Sequence, residues 1–316
     1  MTVLRLPFFL LGFTLLCIPS ALLADFNGYA VMDAATGTIL AEENADLAAP
    51  PASITKLMTY LVTHDAIVAG RINLATPVTA NAADQSMGGT QVFLAVGETF
   101  PVEQLLQATM VASANDAAHA LVIPVAGSRE AFIAAMNARA QTLGMRNTVF
   151  RSPHGLPPSS RKLADGDITT PRDLALLARE LVTHTDVLRY SSTRTGFFGE
   201  GIRPTPQPMK NHNALLLTVP GCDGLKTGFT RAAGFCLVAT AQRGTKRVIV
   251  AIIGSPDAKT RDAHTARLIE EGFAKIPDTS VFVASPVTGV APVETMPVSP
   301  SANEEVPAVR FVLPKS

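Results

Sequence analysis

The chain has 316 residues, 47% of them hydrophobic, and its 26 basic and 26 acidic side chains cancel. That length supports one large or two modest domains with a full core. The neutral balance leaves no electrostatic footprint for nucleic acid, and with no Trp and only three Tyr, aromatic platforms for sugars or bases are scarce.

Residues 1–24 read as a secretory signal: Arg5 supplies the positive start, Phe8 to Ile18 the apolar core, and Ser20 to Ala24 a cleavage region. The apolar run is short for a spanning helix. Leu22 is larger than ideal three residues before the cut, which keeps an uncleaved anchor open. Cys17 lies in this segment without a good lipoprotein box. Removal of the signal leaves Cys222 and Cys236. An exported chain permits a disulfide between them, and two free buried thiols fit equally well. There is no C-x-x-C or H-E-x-x-H pattern and the six histidines are scattered, so neither a metal site nor a cofactor is predicted.

In chain order, Gly28 to Asp33 is a predicted strand, Ala34 to Gly37 a turn, and Thr38 to Ala41 the returning strand. Pro50 and Pro51 then precede a helix, as proline is tolerated there. Ile54, Leu57, Met58, Leu61 and Val62 give it one apolar stripe, and Gly70 ends it. Ser53 and Lys56 are three apart, neighbours on the helix surface at the flank of that stripe. Residues 71–100 read as short strands and loops. Pro101 opens a helix that stops at Ala112 to Asp116; Asn115 or Asp116 caps the next, which Pro124 should end. Ser128 caps a further helix closed by Gly144, and Thr170-Pro171-Arg172-Asp173 is a strong helix start. The middle of the chain is therefore a mostly helical block. Strands return at 222–228, 234–240 and 246–253, followed by a helix from Arg261 to Phe273. The third strand is nearly continuous Val and Ile, as a strand buried on both faces should be. The predicted fold is α+β: an antiparallel sheet built from both chain ends and flanked by helices, with the helical block inserted.

Three polar clusters carry chemistry. A serine hydroxyl is a weak nucleophile until a base takes its proton, and Lys56 serves if burial or a nearby cation lowers its pKa. Ser113 and Asn115 sit in a turn between helices, and Lys226, Thr227 and Gly228 lie on a strand at the sheet edge. In this order and these contexts, Ser53-x-x-Lys56, Ser113-x-Asn115 and Lys226-Thr227-Gly228 resemble the motif set of the penicillin-binding proteins and class A β-lactamases. Asp223 to Thr230, Ala233-Gly234-Phe235, His154-Gly155-Leu156, Arg261 and Gly272-Phe273 extend the likeness. Across about residues 27–275, the chain resembles the serine D-Ala-D-Ala carboxypeptidases, the low-molecular-mass penicillin-binding proteins.

The resemblance implies roles. Ser53 would attack the carbonyl between two D-alanines and form an acyl-enzyme, with Lys56 as general base. The N–H groups of Ser53 and Phe229 would form the oxyanion hole. Ser113 would relay the proton to the leaving amine and Asn115 would bind the peptide amide. Lys226, Thr227 and Arg261 would hold the terminal carboxylate. His154 reads as a turn histidine and Asp223 as a turn-fixing residue. Implied partners are peptidoglycan stem peptides and β-lactams as covalent inhibitors, with no nucleic acid, in a periplasmic or wall-associated setting. No Glu-x-x-Leu-Asn segment lies between Asn115 and Lys226, so slow deacylation of the penicilloyl-enzyme, hence inhibition, is expected rather than β-lactamase turnover. The rivals are a DD-endopeptidase cutting cross-links and a catalytically inactive wall-binding protein. Intact Ser53 and Lys56 argue against the latter.

The predicted organisation is a signal at 1–24, a catalytic domain at 25–275 and a Pro-rich tail at 276–316, read as mobile or loosely docked. The tail matches neither the later β-rich domain nor the amphipathic anchor usual in that family, so no stable membrane anchor is expected after signal removal.

Overall fold

A computed structural model describes residues 26–285; the predicted signal, Cys17 and the tail beyond 285 lie outside the described residues. A hairpin comes first, β1 (Gly28–Asp33) pairing antiparallel with β2 (Ile39–Glu43). A 3-10 turn, Ala52–Thr55, then feeds α1 (Lys56–Val68). The sequence suggested a single apolar stripe on α1, but the helix is buried nearly all round, Lys56 to His64 included. Its polar positions are satisfied inside: the Thr59 hydroxyl donates to the Pro153 carbonyl at 2.6 Å and that of Thr63 to the Thr59 carbonyl at 2.8 Å. A helix with such partners on every side needs no wet face.

The loop region to residue 101 holds the paired strands β3 (Pro77–Thr79) and β4 (Thr99–Pro101), with a one-turn helix between them, α2 (Ala82–Gln85). A reciprocal Asn81–Asp84 capping box makes α2 possible. The helical block continues with α3 (Val102–Gln107), a π-helical turn at Ala108–Ala112, α4 (Asn115–Ala120), α5 (Val122–Ala126) and α6 (Arg129–Thr142). Two expectations need correction. The cap of α4 is Ala114, because the Asn115 and Asp116 side chains are engaged elsewhere. The break falls at Leu121 rather than at Pro124, which lies in the first turn of α5, where its missing N–H is not needed. Ser128 caps α6 as expected, accepting from the Ala131 N–H at 3.1 Å.

Next come α7 (Pro171–His184), capped by Thr170, then α8 (Val187–Ser191), a hairpin of β5 (Thr195–Phe198) and β6 (Gln207–Lys210), and α9 (Leu215–Thr218). The meander β7 (Cys222–Thr230), β8 (Gly234–Arg243) and β9 (Lys246–Ser255) leads into α10 (Ala258–Lys275).

The five-stranded sheet runs β2-β1-β9-β8-β7, all antiparallel, so both ends of the described chain build it. Along β9, Val248, Val250 and Ile252 pack with Leu268 and Ile269 of α10. Ile249, Ala251 and Ile253 face the core shared with α1, α7 and the helical block. This alternation explains why β9 is apolar at consecutive positions. The fold is the α+β arrangement read from the sequence.

Cys222 and Cys236 are free thiols. Cys222 sits opposite Ala241 and Cys236 opposite Gly228, which separates them by six positions along one ladder, about 20 Å. Asp223 does not fix a turn; both its oxygens accept from Arg247, at 2.9 and 2.8 Å. Residues 277–285 dock on the body: the Phe282 N–H donates to the Thr245 carbonyl at 2.7 Å and the Ser280 hydroxyl to Asp33 at 2.7 Å. No helix among the described residues is long and apolar enough to cross a membrane.

Candidate active site

Ser53 sits in the 3-10 turn, not in the α-helix that follows. Side chains three apart line up in 3-10 geometry, which sets Ser53 directly under Lys56. The turn begins sharply, with Ala52 held in the left-handed region at φ +50°, a conformation that persists where the surroundings enforce it. β7 supplies that enforcement. A side chain at Gly228 would place its first carbon 2.7 Å from the Pro51 carbonyl and 3.2 Å from the Ser53 nitrogen, so only glycine lets the strand pass this close.

The Lys56 side chain is fully buried. As an ammonium, its Nζ donates to Ser53 Oγ at 2.9 Å, Asn115 Oδ1 at 2.6 Å and the His154 carbonyl at 2.8 Å. Burial holds its pKa well below the usual lysine range, and the nearby Lys226 charge lowers it further; Asp167 and Asp116 pull weakly the other way. As a neutral amine, Lys56 offers its lone pair to the Ser53 hydroxyl.

The second cluster reaches the same place. Ser113 follows the π-helical turn in a left-handed conformation, φ +63°, and is buried. Asn115 uses its remaining capacity on the loop before it: Nδ2 donates to the Gly88 carbonyl at 2.7 Å and its backbone N–H to the Thr90 carbonyl at 2.8 Å. Asp116 accepts from the N–H groups of Val92 and Leu94, fastening that loop beside the serine. Asn115 is thus a clamp on Lys56 rather than a helix cap.

From the other side, Lys226 on β7 is buried, and its Nζ donates to the Thr227 carbonyl at 3.0 Å. Burial first, then the charge of Arg261, lower its pKa to about 7. Arg261, in the first turn of α10, is only 4% exposed, so it is not the solvated helix-surface charge that its position allowed. Asp262 Oδ1 accepts from its Nε at 2.9 Å and from its Nη2 at 2.7 Å. Ser53, Ser113, Thr227, Gly228, Phe229 and Arg261 all line one cavity of about 340 Å³.

Three lining residues escaped the sequence reading, Thr90, His212 and Ala258. His212 stands between two loop-fixing asparagines. Asn211 Nδ2 donates to the Ser191 and Thr193 carbonyls, and Asn213 Nδ2 to the Gly224 carbonyl. That Asn-His-Asn pattern was the available signal. Burial, then Lys226 and Arg261, keep His212 below the usual histidine pKa. His154 is a turn residue: its Nδ1 accepts from the Leu156 N–H at 3.1 Å, and burial with the Lys56 charge lowers its pKa to about 3. Its carbonyl, however, is a partner of Lys56. Among the described residues, no cluster of three or more His, Cys, Asp or Glu is placed to hold a metal.

A buried lysine against a serine, with a second lysine on the edge strand and an arginine from α10 beside it, defines a penicillin-binding-protein type of site, and comparisons of the whole structure agree. The ampicillin-bound penicillin-binding protein D2 of Listeria monocytogenes superposes with a TM-score of 0.70 at 33% identity, over 80% of this chain and 99% of that one. Penicillin binding protein 5 of Haemophilus influenzae gives 0.71 at 30%, over 79% and 71%. The profile of the D-alanyl-D-alanine carboxypeptidase family matches residues 20–257, and the chain belongs to that family. Among relatives, D-alanyl-D-alanine carboxypeptidase DacF of Bacillus subtilis is 33% identical over 76% of this chain and 60% of its own length. DacA of Escherichia coli is 35% identical over 81% and 62%. The chain thus spans about three fifths of the length of these curated relatives.

Proposed function

We propose that this protein is a serine DD-carboxypeptidase that removes the terminal D-alanine from peptidoglycan stem peptides and is acylated by penicillin. The observation that carries the reading is the buried Lys56 amine 2.9 Å from Ser53 Oγ, beside a cavity lined by Ser53, Thr227 and Arg261, with Lys226 buried behind it.

Neutral Lys56 takes the Ser53 proton as Oγ bonds to the carbonyl carbon between the two D-alanines. The N–H groups of Ser53 and Phe229 stabilise the oxyanion. The C–N bond then breaks, and the proton passes from Lys56 through Ser113 to the departing D-alanine amine. Water hydrolyses the ester on Ser53 and releases the shortened peptide. Asn115 holds Lys56 in place through Oδ1 and, with one Nδ2 hydrogen on the Gly88 carbonyl, keeps its second Nδ2–H and an Oδ1 lone pair for the substrate amide. Lys226, Thr227 and Arg261 bind the free carboxylate. A buried arginine suits a terminal carboxylate better than a cross-link that lacks one, which favours carboxypeptidase over endopeptidase action. The catalytic unit spans residues 25–275, working outside the cytoplasm after export by residues 1–24.

The test is D-alanine release from a pentapeptide ending in D-Ala-D-Ala, with Ser53→Ala alongside. Release that vanishes in the variant, together with loss of fluorescent-penicillin labelling, is the expected result. No release from folded wild-type protein removes the carboxypeptidase assignment.

A further inference from the structure

A second cavity, of about 400 Å³, begins where the first ends. The two share consecutive residues on two segments. Ser53 and Phe229 line the first, while Ala52 and Thr230 line the second. β7 therefore passes from one to the other, and it is the edge strand of its sheet. The far wall is the loop at 155–166, held by a buried carboxylate: Asp167 accepts from the Thr55 and Ser152 hydroxyls and from the N–H groups of Arg151 and Ser152.

The lining is mainly apolar, with Pro51, Leu156, Pro157 and Pro158. Its rim carries three exposed cations, Arg161, Lys162 and Arg231. Among the described residues, none of these three side chains forms an ion pair or hydrogen bond. The carboxylates close by are already engaged, Asp165 by the Ser160 hydroxyl and Asp167 by its four donors. Three unengaged positive charges around an apolar hollow match a ligand that is extended, partly apolar and anionic.

We propose that this cavity is a subsite for the acyl-side arm of the substrate, the peptide N-terminal to the scissile bond, and that Arg161, Lys162 and Arg231 recognise free carboxylates on that arm. This deepens the peptidase reading and rests on it. With the terminal carboxylate at Arg261 and the scissile carbonyl at Ser53, an extended peptide advances about 3.3 Å per residue. Its second and third residues on the acyl side then come level with Thr230 and Arg231, two positions beyond Phe229. The free edge of β7 guides the chain there. The cations act on binding, not on the acylation step.

The test compares three substrates on the full chain carrying Arg161→Gln, Lys162→Gln and Arg231→Gln together. They are L-Ala-γ-D-Glu-L-Lys-D-Ala-D-Ala, its isoglutamine counterpart, and diacetyl-L-Lys-D-Ala-D-Ala, which ends level with Thr230, short of Arg231, and carries no carboxylate on its acyl arm. On the acidic pentapeptide, kcat/KM should fall roughly five- to tenfold through KM, as expected for a few exposed charge pairs. The short substrate should be unaffected, and the preference for the acid over the amide should disappear. Equal losses on long and short substrates, or none on the acidic one, overturn the subsite. The tripeptide L-Ala-γ-D-Glu-L-Lys, titrated against Ser53→Ala protein, separates this outcome from failure of the peptidase reading, since it needs no turnover. Binding that weakens with the three substitutions supports the subsite even in an inactive protein. Binding that is absent or unchanged removes it.

Discussion

Lys56 and Lys226 are two buried amines of one site, and the charge of Lys226 makes Lys56 harder to protonate. Lys226 lowers the pKa of Lys56, while Arg261 does the same to Lys226. In the proposed mechanism neutral Lys56 is the base, so acylation by a β-lactam should rise with pH as that amine loses its proton. In Lys226→Gln the like charge is gone, the Lys56 pKa climbs, and the rising limb moves to higher pH. A limb that stays in place, in acylation rates followed from pH 5 to 10, would show that Lys226 does not act on Lys56 electrostatically. The same shift appears in stability. In the unfolded chain Lys226 keeps its proton to about pH 10.4, whereas in the folded one it loses it near pH 7. Between those values the unfolded state binds more protons, so stability rises with pH. The increase in Tm from pH 7 to 9 should therefore shrink in Lys226→Met; an identical increase in both proteins would contradict the depressed pKa.

At the scale of elements, α10 shows how close packing sets a residue type. A methyl group at Gly272 would lie 2.5 Å from Val248 Cγ2 and 3.0 Å from Val31 Cγ1. Gly272→Ala adds about 1 kcal/mol of helix propensity but forces helix and sheet apart at a cost of about 1–3 kcal/mol. Net destabilisation is expected in denaturant titration, and Val248→Ala in the same chain should relieve part of it. A Gly272→Ala protein at least as stable as wild type would show that α10 shifts freely. The sequence could announce such a glycine only as the end of a helix, because its reason lies on β9 and β1. The same distinction divides the site. Ser53 with Lys56 was legible because three-residue spacing is local, and the Thr170 cap because its signals are contiguous. The stripe on α1 misled because residues far along the chain cover its other faces. Asn115 read as a cap because its true partners, Lys56 and Gly88, are distant in sequence. His212 was missed because only folding brings the segment before α9 to the mouth of the cavity.

At the scale of the molecule, the boundary of the folded unit lies further along the chain than the proline count suggested. Prolines after 277 rule out a long helix or strand, yet a segment needs neither in order to dock. Phe282 is 9% exposed and lies under the Arg247 guanidinium, 5.0 Å from its ring centre. Arg247 is itself held by Asp223, Thr240 and Gln242. This one cation therefore links the start of β7, the end of β8 and the segment after α10. The Ser285 N–H reaches the Thr183 carbonyl on α7 at 2.7 Å, and Asp278 pairs with Lys246. A chain ending at Ser285 keeps all of these contacts, whereas one ending at Ile276 uncovers Arg247 and loses the burial of a phenylalanine, about 2 kcal/mol. For a domain of this size that corresponds to a drop in Tm of about 4–8 °C. Phe282→Ala in the longer chain should reproduce most of the loss, while penicillin acylation at Ser53 stays unchanged, because Phe282 lies outside the cavity that holds the serine. Equal melting temperatures for the two truncations would mean that residues 277–285 rest on the surface without bracing it.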